Sequence, residues 1–125
     1  MVLSHSELIE QAKTLVRPIT LTEPDLDAAT VGCVLVTETN IYEGVCVHLS
    51  CGLGFCAEAA AIANMIKGGE TKIKTIVAVS SNVISPCGRC REMMVQVDRD
   101  NFDADVLMPE NQVMKLRDLL PHHWM

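Results

Sequence analysis

Apolar residues recur along this chain with two different periods, and each period predicts a different secondary structure. In four segments they recur every three to four residues, as in a helix that buries one face. The first segment follows Ser4 and Glu7, whose spacing is that of a capping box. The second is rich in alanine and closes at Gly68-Gly69, which indicates a helix buried on most sides. The predicted helices cover residues 6–16, 56–68, 87–97 and 115–120.

Shorter runs rich in Val and Ile predict β-strands. Residues 30–37 and 41–47 flank the turn-like sequence Glu38-Thr39-Asn40 and predict an antiparallel hairpin. Further strands are predicted at 72–80 and 104–108, and loops at 21–28, 48–55 and 82–86. A hairpin followed by alternating helices and strands implies one α/β domain over residues 1–125. We expect a mixed sheet between helices in a three-layer α/β/α arrangement.

Composition and charge narrow the classes of partner. The chain has 125 residues, of which 49% are hydrophobic and only 3% aromatic, so its core must be mainly aliphatic. Its formal net charge is −6, and the longest basic cluster is the short pair Arg89 and Arg91. Because nucleic-acid affinity comes largely from Lys and Arg that neutralise phosphates, we expect no nucleic-acid partner. A domain of this size with so apolar a composition leaves faces for a second copy to cover, which favours a homo-oligomer.

The N-terminal segment, residues 1–7, has no basic region followed by an apolar block, so no signal peptide is predicted. No apolar run approaches the roughly 20 residues that a membrane-spanning helix requires, and no membrane partner is expected. Six cysteines in a chain without an export signal favour free thiols and metal ligands over a disulfide framework. We therefore expect a cytoplasmic protein.

Two short motifs carry the candidate chemistry. They are Cys56-Ala57-Glu58 and, thirty residues on, Pro86-Cys87-Gly88-Arg89-Cys90. Three thiolates can form a tetrahedral Zn²⁺ site with one position left open, and a carboxylate beside that position can manage the protons of a bound water. This combination favours a hydrolytic zinc site over a structural one.

Each cysteine group also falls where a loop enters a predicted helix. Helix N-termini carry partial positive charge, which would offset the excess negative charge of three thiolates on zinc. Arg89 and Arg91 are either further partners of the thiolates or simply solvated. Zinc lowers the pKa of its bound water to about 7, and Glu58 is then the candidate general base that takes the proton.

The motifs resemble those of a known family. Cys-Ala-Glu at the start of an alanine-rich helix, followed by the segment Ser85 to Glu92, is similar to the small zinc-dependent cytidine deaminases and their relative blasticidin-S deaminase. Val31-Gly32-Cys33, Gly44-Val45 and Asp118-Leu119-Leu120-Pro121 resemble other signatures of the same family. The resemblance covers most of the chain and implies the cytidine-deaminase-like fold.

The resemblance implies a role for each of several residues. Zn²⁺ would be bound by Cys56, Cys87 and Cys90, with Glu58 as the proton shuttle. The backbone N–H of Ala57 would face a ring carbonyl, and the backbone carbonyl of Ser85 the exocyclic amine. In this family a C-terminal aromatic closes over the base, often from a neighbouring subunit, and Trp124 has the matching spacing. The family also implies a homo-oligomer, either a tetramer or a dimer.

The sequence departs from the cytidine deaminases where they hold the nucleoside. Cys46-Val47-His48 replaces their ribose-binding Asn-x-Glu, and Ala29 replaces the Phe that stacks on the pyrimidine. Ala59 replaces an Arg that bonds the thiolates, and blasticidin-S deaminases also lack that Arg. We therefore predict deamination of a cytosine-type nucleoside or analogue, or a similar small amino-heterocycle, whose sugar differs from ordinary ribose. Cys46 and His48 are candidate pocket residues; the alternatives are core packing for Cys46 and a solvated loop position for His48.

Two alternatives compete with this prediction. In the first, Cys46, Cys51 or His48 completes a closed, four-ligand structural zinc site in a module that is not an enzyme. In the second, the substrate is a base flipped out of nucleic acid, which would need the basic grooves and stacking aromatics that the chain lacks. The structural alternative has no use for Glu58, which is therefore the discriminating residue. The remaining thiol, Cys33, is predicted to be part of the core.

Overall fold

The computed structural model describes residues 3–125. Met1 and Val2, which belong to the segment in which no signal peptide is predicted, lie outside the described residues. Over residues 3–125, no helix is long and apolar enough to cross a bilayer. In chain order the elements are α1 (His5–Leu15), β1 (Ile19–Thr20), β2 (Asp27–Val36), β3 (Ile41–His48), α2 (Ala57–Lys67), β4 (Thr75–Val79), β5 (Val83–Ile84), α3 (Gly88–Val97), a 3₁₀ helix (Arg99–Asp103), β6 (Asp105–Met108), β7 (Gln112–Lys115) and α4 (Leu116–Leu119).

The strands form one mixed sheet, as predicted. The path of paired strands runs β1-β2-β4-β6-β7, with β3 paired to β2 and β5 paired to β4. The predicted hairpin is confirmed, because β2 and β3 pair in antiparallel register from Gly32↔Val45 to Val36↔Ile41. Strands β4 and β6 are parallel, and the connection between them runs through α3. This parallel pair is what brings the start of α3 to the same end of the sheet as the end of β4.

Helices cover both faces of the sheet, which confirms the three-layer arrangement. On one face α1 packs Leu8 and Ala12 against alternate residues of β2 and β4 such as Val34 and Val77. The other face carries the larger core cluster, in which α2 and α3 pack on the intervening strand residues. Strand side chains alternate between the two faces, so β2 and β4 supply both clusters. The predicted core position of Cys33 is confirmed, since its side chain is fully buried in the larger cluster.

The capping box of α1 is also confirmed. The Ser4 hydroxyl accepts a hydrogen bond from the backbone N–H of Glu7, and the Glu7 carboxylate accepts one from the backbone N–H of Ser4. These two bonds satisfy N–H groups that have no partner within the helix. The helix therefore begins within one residue of its predicted start.

Three parts of the sheet differ from prediction. Strand β2 begins at Asp27, inside the segment 21–28 that was predicted to be a loop, because an irregularity between Ala28 and Gly32 interrupts its alternation. Ala29 lies in that irregularity with a left-handed φ of 59°. The predicted strand 72–80 is shorter, and the short strands β1, β5 and β7 were not predicted at all. Each of the three exists because it pairs with a neighbouring strand, which local sequence does not encode.

Strand β3 lies at the edge of the sheet, because residues 32–36 of β2 pair with β3 on one side and with β4 on the other. Part of its free edge is used by the protein itself. The Asn64 side chain donates to the Glu43 carbonyl at 2.7 Å, and Val47 exchanges two backbone hydrogen bonds with Phe55. The Phe55 bonds fasten the end of the 48–55 loop to the sheet immediately before Cys56.

Asn101, in the 3₁₀ helix, is a fully buried polar residue that joins three segments. Its side-chain oxygen accepts from the backbone N–H of Ile73 at 2.7 Å. Its side-chain nitrogen donates to the carbonyls of Thr71 and Met94, each at 2.9 Å. The amide therefore ties the end of α3 to the segment that leads into β4.

We expect Asn101→Ala to lower the free energy of unfolding by about 2–4 kcal/mol, because one N–H and two carbonyls are left without partners. The matched control is Asn82→Ala, at an exposed loop position, which should change it by less than about 0.5 kcal/mol. Urea unfolding followed by circular dichroism measures both. Equal effects of the two substitutions would contradict the role assigned to the buried amide.

Candidate metal centre

The two predicted metal-binding motifs each end a loop and begin a helix, as expected. Cys56 is the N-cap of α2 and Cys87 is the N-cap of α3, both with extended backbone. Neither thiol caps its own helix. Cys90 follows one turn later, in the first turn of α3, with its side chain fully buried. The positive ends of two helices therefore converge where negative charge gathers on sulfur.

The three sulfurs lie close together. The Sγ atoms of Cys56 and Cys87 are 3.6 Å apart, and those of Cys87 and Cys90 are 3.5 Å apart. All three lie within 4.8 Å of one another, and across residues 3–125 no other group of three His, Cys, Asp or Glu does so. Tetrahedral zinc with Zn–S bonds of about 2.3 Å sets its sulfurs about 3.8 Å apart. The donor set and its spacing therefore fit Zn²⁺.

The local electrostatics also favour a cation among the sulfurs. Burial, and then the hydrogen bond with Cys87, raise the pKa of Cys56. Burial, and then the negative charge of Glu58, raise the pKa of Cys90. Burial acts on Cys87 in the same direction, but hydrogen bonds from Cys90 and neighbouring groups outweigh it and lower the pKa of Cys87. Two of the three thiols therefore resist ionisation. A divalent cation among the sulfurs would stabilise them as thiolates.

Glu58 lies in the first turn of α2, two residues after Cys56, and its side chain is only 4% exposed. Burial raises the pKa of its carboxyl group. The carboxyl group is close enough to the thiols that its charge contributes to the raised pKa of Cys56 and Cys90. A buried carboxyl group beside three thiols is the arrangement that the sequence predicted for a general base.

Helix α2 can reach this position because Gly44 of β3 lies directly beneath it. A Cβ atom at Gly44 would lie 2.6 Å from the carbonyl oxygen of Ala57 and would also overlap the backbone nitrogen of Ala61. Gly32 plays the same part on the other face, where a Cβ atom would lie 2.6 Å from the carbonyl oxygen of Ala12. These two glycines set the distance between the sheet and the helices on its two faces.

Arg91 has neither of the two roles that sequence analysis left open. Its guanidinium donates to the Pro86 carbonyl at 2.8 Å, to the Leu119 carbonyl at 2.9 Å and to the Ser85 hydroxyl at 2.8 Å. It therefore bonds neither to the thiolates nor only to solvent. Arg89 is exposed, and a hydrogen bond from its backbone helps to lower the pKa of Cys87.

The other predicted site residues occupy different environments. Cys46 is 2% exposed and lies 3.2 Å from the hydroxyl of Thr30. The exposed His48 ring pairs with Asp27 at 2.8 Å. Cys51 is exposed, with a left-handed φ of 61°. None of these three joins the sulfur cluster.

Ala57, Ser85 and Trp124 complete the predicted set. Ala57 is fully buried at the start of α2, where backbone N–H groups have no carbonyl partner within the helix. Ser85 directly precedes Pro86 and Cys87. The side chain of Trp124 is 82% exposed, while its backbone N–H donates to the Glu92 carboxylate at 2.8 Å. Sequence analysis missed this contact and the bond from Arg91 to Leu119, because each joins residues about 30 positions apart.

The fold and the site together define a small α/β/α domain with a three-cysteine zinc centre beside a buried carboxyl group. The family description of the cytidine and deoxycytidylate deaminase zinc-binding region matches residues 4–102. The chain belongs to this family, and Zn²⁺ is the cofactor that its site fits.

Comparison with individual proteins agrees with this assignment. The chain is 35% identical over 85 residues to the blasticidin-S deaminase of Bacillus cereus, and the match covers 58% of this chain and 60% of that relative. A point mutant of the cytidine deaminase from Mycobacterium tuberculosis has the same fold, with a TM-score of 0.82 at 23% identity over 99% of this chain and 100% of that one. The cytidine deaminase from Burkholderia pseudomallei gives a TM-score of 0.78 at 27% identity over 98% of this chain and 100% of that one.

The glycine beneath α2 gives a test of how the metal site is held. We expect Gly44→Ala to lower zinc affinity about 10–100-fold, because the added methyl group displaces the helix that carries Cys56. Gly32→Ala is the matched control: it crowds α1 on the opposite face and should cost similar stability without changing zinc affinity. Competition with a chelating dye measures affinity. Equal loss of zinc affinity in both variants would show that Gly44 acts only through global stability.

Proposed function

We propose that this protein is a zinc-dependent hydrolytic deaminase of a small molecule. It replaces an exocyclic amine of a cytosine-type nucleoside or nucleoside analogue by a carbonyl and releases ammonia. The observation that carries the proposal is the buried Glu58 carboxyl group beside three cysteine sulfurs that gather no fourth protein ligand within residues 3–125. Family membership and the likeness to a blasticidin-S deaminase support it.

Cys56, Cys87 and Cys90 hold the zinc in this proposal. Zinc, when bound, supplies a Lewis acid that makes a water molecule acidic near neutral pH. Glu58 takes one proton from the attacking water and passes it to the ring nitrogen, then takes the second from the hydroxyl formed on the ring carbon and passes it to the departing amine. The water oxygen forms a bond to the ring carbon, the bond from that carbon to the amine breaks, and ammonia leaves. Burial of Glu58 suits this exchange, because a raised pKa brings a carboxyl group closer to the operating pH.

The backbone on either side of the metal provides the contacts to the base. The N–H of Ala57, free at the start of α2, is the proposed donor to the ring carbonyl. The Ser85 carbonyl is the proposed acceptor for the exocyclic amine. A donor and an acceptor at fixed positions select a ring that carries a carbonyl and an amine in the matching places.

The proposed substrate differs from cytidine in the part that carries the sugar. The nearby strands offer His48, held by Asp27, and Cys46, bonded to Thr30, together with the small side chain of Ala29. A histidine paired with a carboxylate presents different hydrogen-bonding groups to a substrate than the Asn amide and the Glu carboxylate of the family's Asn-x-Glu. We assign His48 as a direct contact, with Cys46 as part of the pocket wall behind it.

Exposed apolar residues support a homo-oligomer, either a dimer or a tetramer. Leu49, Leu53 and Phe55 are 38%, 69% and 37% exposed in the loop before Cys56. The indole of Trp124 is also mostly exposed. Apolar groups of this size beside a candidate site mark an interaction surface. We assign the surface to a second copy, with Trp124 closing over the neighbouring site. We also assign the protein to the reducing cytoplasm, because none of its six cysteines forms a disulfide.

The structural-zinc alternative lacks support in this structure. It needs a fourth protein ligand, but none of the three candidates lies at the sulfur cluster. Cys46 is hydrogen-bonded to Thr30, His48 is paired with Asp27, and Cys51 is exposed. A closed site would also leave the burial of Glu58 without a purpose.

The substitution Glu58→Gln separates the two functions. We expect it to keep zinc at one equivalent per chain and to lower kcat by at least about 10²–10⁴-fold, because the proton acceptor is lost. Glu10→Gln, at an exposed position of α1, is the control and should keep activity. Metal analysis and ammonia release measure the two effects. Full activity of Glu58→Gln would contradict the proposal, as would absorption spectra of the cobalt-substituted protein that indicate four protein ligands.

The substrate class is tested by a panel of cytidine, deoxycytidine, free cytosine, blasticidin S and related amino-heterocycles. We expect the best substrate to exceed plain cytidine in kcat/KM by about tenfold or more, since the chain lacks both ribose ligands of the family. Ammonia release gives the rate constants. A kcat/KM for cytidine that equals or exceeds those of all other compounds would refute the altered sugar site.

A further inference from the structure

The C-terminal tail, residues 120–125, follows α4 and ends beside α3. Its last two side chains face solvent: Trp124 is 82% exposed and Met125 is 57% exposed. A chain end with exposed side chains usually moves freely unless its backbone is tied down. In this protein two neighbouring residues near the start of α3 hold the tail and Leu119, the residue that precedes the tail.

The first is Arg91, whose three donor nitrogens are all used. It donates one hydrogen bond to the carbonyl of Leu119, which is the last residue of α4. It donates one more to the Pro86 carbonyl and one to the Ser85 hydroxyl. The planar guanidinium therefore bridges the segment that enters the metal site and the start of the tail. None of the three bonds uses the Ser85 carbonyl, which remains the proposed acceptor for substrate.

The second is Glu92, the next residue of α3. Its carboxylate accepts from the backbone N–H of Trp124 at 2.8 Å and, through its other oxygen, from the Gln96 side chain at 3.3 Å. Between the two anchored points, the His123 ring meets Phe102 edge to face, with centroids 5.1 Å apart. The backbone of the tail is thus fixed at Leu119 and Trp124, while the indole itself is left free to contact another surface.

We propose that Arg91 and Glu92 form a tether that positions Trp124 and the Ser85-Pro86 segment for the deamination reaction. Both are positioning residues, because they act through the tail and the segment before Cys87. The tether rests on the proposed function and explains how the backbone of Trp124 is held in position. Arg91 also links the segment that recognises substrate in one subunit to the tail that serves a neighbouring one.

The chemistry of the two side chains decides which substitutions test the tether. Lysine keeps the charge of Arg91 but offers a single ammonium, which cannot bridge three acceptors in a fixed plane. Alanine at Glu92 removes the acceptor of the Trp124 N–H. Arg99→Lys, at an exposed position after α3, is the control for the first change. Gln96→Ala is the control for the second, because it touches Glu92 but leaves the Trp124 bond intact.

Trp124 is the only tryptophan in the chain, so its fluorescence reports on the tail alone. We expect both Arg91→Lys and Glu92→Ala to lower its time-resolved anisotropy. Only Glu92→Ala, which removes the acceptor of the Trp124 N–H, should abolish hydrogen-exchange protection of that backbone amide. The zinc content should stay at one equivalent. We expect kcat/KM to fall about 10–100-fold in both variants, since small displacements of positioned groups cost that much. In Glu92→Ala the loss should lie mainly in KM, because the Ser85-Pro86 segment keeps its bonds to Arg91.

The controls should match the wild type in every measurement. Unchanged anisotropy and amide protection in Glu92→Ala would overturn the tether, and so would a mobile tail with unchanged kcat/KM. If Arg91→Lys fails to fold, Glu92→Ala alone decides. A wild-type protein that deaminates no compound of the panel would contradict the proposed function instead, and anisotropy and exchange would then judge the tether separately.

Discussion

Three sulfur atoms held within 4.8 Å of one another and partly removed from water are unfavourable as thiolates unless a cation lies among them. The rest of the structure serves this constraint. Two helices begin at the sulfurs, so that their N-terminal partial charges favour the negative cluster. Cys87 is exposed, but the third sulfur, of Cys90, and the Glu58 carboxyl group are buried, which strengthens electrostatic effects on the inner side of the site.

The positions of the two helix starts depend on contacts on opposite sides of the site. On the side of α2, the close approach of Gly44 fixes how deep the helix lies on the sheet. On the side of α3, the guanidinium of Arg91 holds the segment that leads into the helix. Both devices act on backbone, which suits a site whose proposed substrate contacts are backbone groups. Rigid packing here is a condition for the chemistry and not only for stability.

Some of this arrangement was predictable from local sequence. The starts of α2 and α3 follow from apolar periodicity and from the cysteines that precede them. The capping box of α1 lies at its predicted residues, and the helix begins within one residue of its predicted start. Strands β1, β5 and β7 were missed because each depends on a pairing partner. The start of β2 was missed because its irregularity at Ala29 hides the alternation. The full burial of the Asn101 side chain was not predicted, because it depends on partners in other segments.

The sequence by itself determined the donor residues, the adjacent glutamate and the order of the four helices and of strands β2, β3, β4 and β6. The pairs Cys56 with Glu58 and Cys87 with Cys90 are encoded locally, because residues two or three positions apart at a helix start are brought together by the helix itself. Only the tertiary structure decided that Arg91 bonds to Leu119, that Glu92 holds Trp124 and that Cys46 turns into the core beside Thr30. These contacts join distant segments, and long side chains with many rotamers take the partner that packing leaves within reach.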